Sequence, residues 1–117
     1  MGLDIWFHRV KRTEVGYFRK VNFLVKFFED RGFDREKGSC WVSEQDVRDL
    51  LDCCNRVLAD HSKAEQLLPT VEGFFFGDTD YNESYFQDVK EVRDLCENKL
   101  IPILALGEET IEFDIWY

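Results

Sequence analysis

The sequence predicts an α+β domain, with three helices packed on one face of a small antiparallel sheet that pairs the N- and C-terminal strands. At one end Leu3, Ile5 and Phe7 alternate with Asp4, Trp6 and His8. At the other, Ile111, Phe113, Ile115 and Tyr117 alternate with Glu112, Asp114 and Trp116. Both have the period of half-buried strands, and each needs a partner. Between them, three segments repeat apolar residues at helical spacing. The chain is 44% apolar and 15% aromatic, far from the composition of disorder. Its 117 residues suffice for one core without disulfides, so a single domain over residues 1–117 is expected.

The elements follow in order. After the first strand, the basic run Arg9, Lys11, Arg12 leads into a turn. A first helix is predicted from about Val15 to Arg31, because Phe18, Val21, Val25 and Phe28, joined by Tyr17 and Leu24, recur at helical spacing before Gly32. Residues 33–42 read as a loop, with Trp41 and Val42 returning towards the core. Ser43 is a good N-cap and Asp46 completes a capping-box pattern. Val47, Leu50, Leu51, Cys54, Val57, Leu58 and His61 then share one face of a second helix. Residues 62–72 connect, with Leu67, Leu68 and Val71 as anchors and Pro69 blocking a helix. A third helix is predicted from about Tyr81 to Lys99, its apolar face formed by Tyr85, Val89, Val92 and Cys96, flanked by Phe86 and Leu95. Pro102 ends or kinks it. Ile103–Leu106 reads as a short strand, and Gly107, Glu108 and Glu109 as a turn. The pattern leaves strand order open.

Several function classes are disfavoured by composition. The longest apolar runs, such as Phe74–Phe76 and Leu100–Leu106, are too short to span a bilayer. The opening MGLDIWFHRV lacks the basic and apolar regions of a secretory signal. Trp6 stands where myristoylation wants Ser or Thr. Cys40, Cys53, Cys54 and Cys96 form no CxxC pair and have no His at zinc-ligand spacing, so they read as reduced thiols, with Cys54 and Cys96 in the core. A cytoplasmic location, no membrane partner and no cofactor are expected. Residues 1–38 hold nine Lys and Arg against six Asp and Glu, a net of +3. Residues 39–117 hold six against eighteen, a net of −12. That balance argues against a direct grip on nucleic-acid phosphates and suits a basic protein partner.

The stretch GFFFGDTDYNESYF, residues 73–86, carries the densest set of candidate site residues. Asp78, Asp80 and Asn82 match the first, third and fifth ligands of a calcium loop. Glu83 and Val89 then occupy the positions that require Gly and a bidentate Glu, so an EF-hand is excluded. A looser cation site of Asp78, Asp80 and Glu83, with His8 as a further candidate, remains an alternative. Catalysis lacks its usual companions: no Gly-rich phosphate loop, Ser-His-Asp order or metalloprotease helix motif is present, and catalytic residues are not assigned. His8 on a strand and His61 at a helix end both read as structural. The leading reading is a helix start. Asp80 and Glu83 make a capping-box pattern, Asp78 lies where the helix dipole favours an acid, and Gly77 allows a turn. Phe74, Phe75 and Phe76 are then expected to form an extended buried segment. The same acids can also form a partner-facing rim.

The opening MGLD, the segment GYFRKVN followed by FF, and LLPT followed by GFFFGDTDYNESYF resemble a family of small uncharacterised proteins of bacteria and their phages. The likeness covers nearly the full chain. It departs at Asn82, where a further acidic residue is expected, and at Phe18, where Trp is expected. The resemblance transfers no activity. Its phage and prophage association implies roles in host takeover or counter-defence rather than metabolism. The expected function is therefore a non-enzymatic accessory protein that binds a host protein through an acidic face of Asp78, Asp80, Tyr81, Glu83, Tyr85, Asp88 and Glu91. A weak divalent-metal module or small metal-dependent hydrolase centred on Asp78, Asp80 and Glu83 is one alternative. A homodimer or larger assembly built on Trp6, Trp41, Trp116 and exposed Tyr residues is another.

Overall fold

A computed structural model of the chain describes residues 2–9, 14–73, 75–107 and 110–117. Strands β1 (Asp4–Arg9), β2 (Glu14–Arg19), β3 (Ser39–Val42) and β4 (Ile111–Trp116) form one antiparallel sheet in the order β2-β1-β4-β3. The terminal strands do pair, and they are the two central ones. Their alternation decides the faces. Ile5, Phe7, Ile111, Phe113 and Ile115 are buried towards the helices, while Asp4, Trp6, His8, Glu112, Asp114 and Trp116 point the other way.

The helices cover the inner face. In α1 (Asn22–Glu29), Phe28 stacks on Phe113 with ring centroids 4.3 Å apart and meets Phe7 edge-on. Helix α2 (Glu44–Ala59) begins as its sequence indicates. Ser43 Oγ accepts from the Asp46 amide and Asp46 Oδ2 accepts from the Ser43 amide, while Val47, Leu50, Cys54 and Val57 face inward. A single turn at His61–Lys63 and the short α3 (Ala64–Leu67) follow, and α4 (Glu83–Leu95) packs against α2. Cys54 and Cys96 lie in the core, and burial raises all four thiols above their ordinary values. No helix among the described residues is long and apolar enough to cross a membrane.

Four local expectations are corrected. Residues 14–19 are strand, not helix, and the first helix is confined to 22–29. Phe18 and Val21 satisfy helical spacing, but Gly16 and Phe18 also face inward in register with Phe7 and Ile5, and pairing with β1 prevails. Leu95 of α4 packs directly over this point, since a Cβ on Gly16 would lie 2.5 Å from its Cδ2. Residues 39–42 form β3 rather than loop, with Val42 buried and Trp41 67% exposed on the outer face. Residues 101–105 are helix (α5), not strand. The chain reaches α5 from α4 through a wide turn at Cys96–Leu100, in which the Ile101 amide donates to the Cys96 carbonyl five residues back. Such a widened turn relieves the clash a proline ring makes with the carbonyl four residues before it, so Pro102 neither ends the helix nor yields a strand.

Phe75 and Phe76 do not form the extended buried segment expected of them. The Phe76 amide donates to the Gly73 carbonyl, and Phe75 adopts a left-handed φ of 62° and is 47% exposed, whereas Phe76 is buried. Phe74 lies outside the described residues, as do the turn expected after Arg9 at Lys11 and Arg12 and the Glu108–Glu109 turn.

Candidate functional site

The acidic stretch borders a cleft of about 250 Å³ between the β2–α1 junction and the start of α4. Its framework is a buried amide. Asn22, 3% exposed, donates from Nδ2 to the carbonyls of Phe76 (3.1 Å) and Asp78 (2.9 Å), and its Oδ1 accepts from the Val71 amide (3.2 Å). One side chain thus clamps two loop segments that have no sheet to satisfy them. Thr70 reinforces the clamp, its Oγ1 donating to the Thr79 carbonyl (2.9 Å) while its amide donates to Tyr81 Oη (3.1 Å).

The approach of the other wall requires unusual backbone. Lys20 is left-handed (φ 60°), its amide donating to the Leu3 carbonyl, and the Leu3 amide donates to the Phe75 carbonyl. Gly77 has φ 87°, and a Cβ there would lie 2.9 Å from Lys20 Cβ, so only glycine lets the lysine stem cross this point. Non-glycine residues at positive φ are uncommon and collect at functional sites. Here Lys20 lines the cleft, and Phe75 lies two residues before Gly77, which also lines it.

The expected binding residues divide among different environments. Asp78, Asp80 and Asp88 line the cleft, opposite Arg19 and Lys20. Asp78 organises the helix entry: Oδ1 accepts from the Asp80 amide (2.7 Å) and Oδ2 from Asn82 Nδ2 (3.1 Å). The cap itself is Asn82, whose Oδ1 accepts from the Tyr85 amide (3.1 Å), so the Asp80 capping expectation is corrected by two residues. The helix start is correct and the capping residue is not. Glu83 is exposed in the first turn of α4, and Glu91 is exposed one turn past Asp88. Tyr81 is half buried against Thr70. Tyr85 is 5% exposed with its hydroxyl donating to the Leu68 carbonyl (2.8 Å), and so forms the floor rather than the rim.

Asp88 is the electrostatic anomaly. It is half buried, and among the described residues no Lys or Arg makes an ion pair with it. Burial first, and Glu91 second, push its carboxyl up to about 6. The arrangement holds a negative charge in a partly dry cleft, with hydroxyls of Thr70 and Ser84 nearby as donors or acceptors.

Sequence reasoning from the acidic stretch alone does not reach Arg19, Lys20, Asn22 or Thr70. A signal exists in GYFRKVN and LLPT, two of the segments on which the family resemblance rests, and they meet GFFFGDTDYNESYF at this cleft. Asp78, Asp80 and Glu83 do not bring donor atoms within 4.8 Å of one another. Among the described residues the group that does is His8, Glu112 and Asp114, on the outer face of the sheet. Compared with protein-family models, curated proteins and solved structures, the chain gives no match.

Proposed function

We propose that this chain is a non-enzymatic accessory protein, of phage or prophage type, that binds a bacterial host protein through the acidic cleft and the exposed start of α4. The observation that carries the reading is Asp88, a carboxylate half buried beside Glu91 and without an ion pair among the described residues. Desolvation without compensation is unfavourable in the free protein, and perturbed ionisable groups in clefts concentrate where binding occurs. A Lys or Arg side chain from a partner, entering between Asp80 and Asp88, supplies the missing counter-charge. Asp78, Asp80 and Glu83, all exposed, extend the field that attracts it. The host setting rests on the family resemblance.

The test is capture of a partner from bacterial lysate by the full chain and by an Asp80→Asn/Asp88→Asn variant. Capture is expected to weaken with rising salt, because rim charges are screened, and to fall at least about tenfold in the variant. A partner retained equally at all ionic strengths and by the variant would remove the proposal.

A second reading, self-association, is favoured by Trp116 (72% exposed) and Trp41 on the outer sheet face. Light scattering that finds a dimer in the wild type and a monomer after Trp41→Ser/Trp116→Ser would support it.

A further inference from the structure

The outer face of the sheet carries a second constellation, sharing no residue with the cleft. In the β1–β4 register His8 lies opposite Glu112, and Asp114 lies two residues along β4, opposite Trp6. Side chains two apart on a strand share a face, so the three converge. One donor atom from each of them lies within 4.8 Å of the others, and all three residues are half buried. The decisive atom is His8 Nδ1. It is enclosed and has no hydrogen-bond partner among the described residues. It faces Asp114 Oδ2 at 3.7 Å.

That spacing discriminates between explanations. A nitrogen-to-oxygen hydrogen bond needs about 2.7–3.2 Å, so the pair is too far apart for one. Two ligands each about 2.1 Å from a shared tetrahedral ion stand about 3.4 Å apart, close to the observed separation. The buried nitrogen and the gap in front of it both fit an ion held between the two side chains. Strand register supplies rigidity: β1 and β4 are the central strands, each flanked by a further strand, so the donors are fixed before an ion arrives. The Trp6 ring lies parallel to the His8 imidazole, 6.4 Å away and tilted by 12°, supporting its plane.

We infer that His8, Glu112 and Asp114 form a binding site for one divalent transition-metal ion, with zinc as its best-matched occupant. One imidazole nitrogen with two carboxylates is a borderline donor set, which suits zinc, manganese or iron(II). Calcium and magnesium prefer oxygen throughout. The two carboxylates neutralise the dication, and three protein ligands leave a position open towards solvent, as in sites that bind a further ligand.

The test is equilibrium dialysis of the full chain against zinc chloride under reducing conditions, with metal content and affinity measured. The variants are His8→Asn, Glu112→Gln and, as control, Asp78→Asn/Asp80→Asn. One zinc per chain is expected in wild type and in the control, with affinity at least about tenfold weaker in His8→Asn and in Glu112→Gln. Glu112→Gln keeps side-chain shape, and metal-free melting of each variant reports whether it folds. Cobalt(II) added to wild type provides a readout that needs no variant, since cobalt bound beside Trp6 is expected to quench its fluorescence and zinc to reverse the quenching. Absence of binding at millimolar zinc, binding indifferent to both ligand substitutions, or binding lost in the control would each overturn the site.

Discussion

Carboxylates occur in two settings in this protein, and the scaffold under each decides what they can do. Around the cleft, Asp78, Asp80 and Asp88 sit on a loop and a helix start, positioned by a clamp of side-chain hydrogen bonds and by left-handed backbone. Asp78 is engaged in shaping the chain, and Asp88 is left half buried without an ion pair among the described residues. On the outer sheet face, Glu112 and Asp114 are set by strand register opposite a histidine. Around the cleft, among the described residues, only Asp78 has its carboxylate held by hydrogen bonds. Strand acids held by a ladder converge on a point.

That contrast can be broken most directly at Asn22. Asn22→Ala leaves the Val71 amide and the carbonyls of Phe76 and Asp78 without their partner. It is expected to destabilise the fold by about 3 kcal/mol in urea unfolding, because buried polar groups lose their hydrogen bonds. Zinc affinity at the sheet face should survive in the folded fraction. If zinc binding is lost while the protein remains folded, the two settings are not independent. Gly77→Ala is a narrower probe, adding a Cβ at φ 87° and 2.9 Å from Lys20 Cβ. The expected cost is about 2 kcal/mol, from backbone strain and the steric contact.

The smallest effect sharpens the electrostatic half of the comparison. The folded-state value of Asp88 is raised from 3.8 to about 6. Below pH 3.8 both folded and unfolded states hold the proton and no penalty exists. As pH rises from 3.8 to 6 the unfolded chain ionises first, so stability falls, and above about 6 the penalty is complete. Asp88→Asn is therefore expected to stabilise at pH 7 by about 1 kcal/mol after discounting for the half-exposed carboxylate, a few degrees in melting temperature. The gain should vanish by pH 4. A variant no more stable than wild type at pH 7 would show that the cleft does not strain this charge.

Where local chemistry decides an element, the sequence is legible. Ser43 and Asp46 start α2 with bonds spanning three residues, and the terminal alternation identifies two strands that can satisfy each other. Legibility ends where a distant partner selects among equal local choices. Residues 14–19 fit helix or strand by spacing, and only β1, across the hairpin, settles the matter. Asp78, Asp80 and Asn82 are all competent caps by type; Asn22 and Thr70 tie the chain through the Asp78 and Thr79 carbonyls ahead of the helix, and the cap used is Asn82. Arg19 and Lys20 reach the cleft from nearly sixty residues away. The outer-face group needed the register as well as the pairing, since a slip of one residue would send Glu112 and Asp114 into the core.

Placing β1 and β4 side by side at the centre of the sheet has a kinetic consequence. β3 bonds only to β4, and β1 otherwise has only the hairpin with β2. A chain stopped short of Ile111 therefore holds a hairpin and a separate four-residue segment with no strand between them. Closing the sheet joins residues more than a hundred positions apart, a contact whose entropic cost precedes its reward and slows folding.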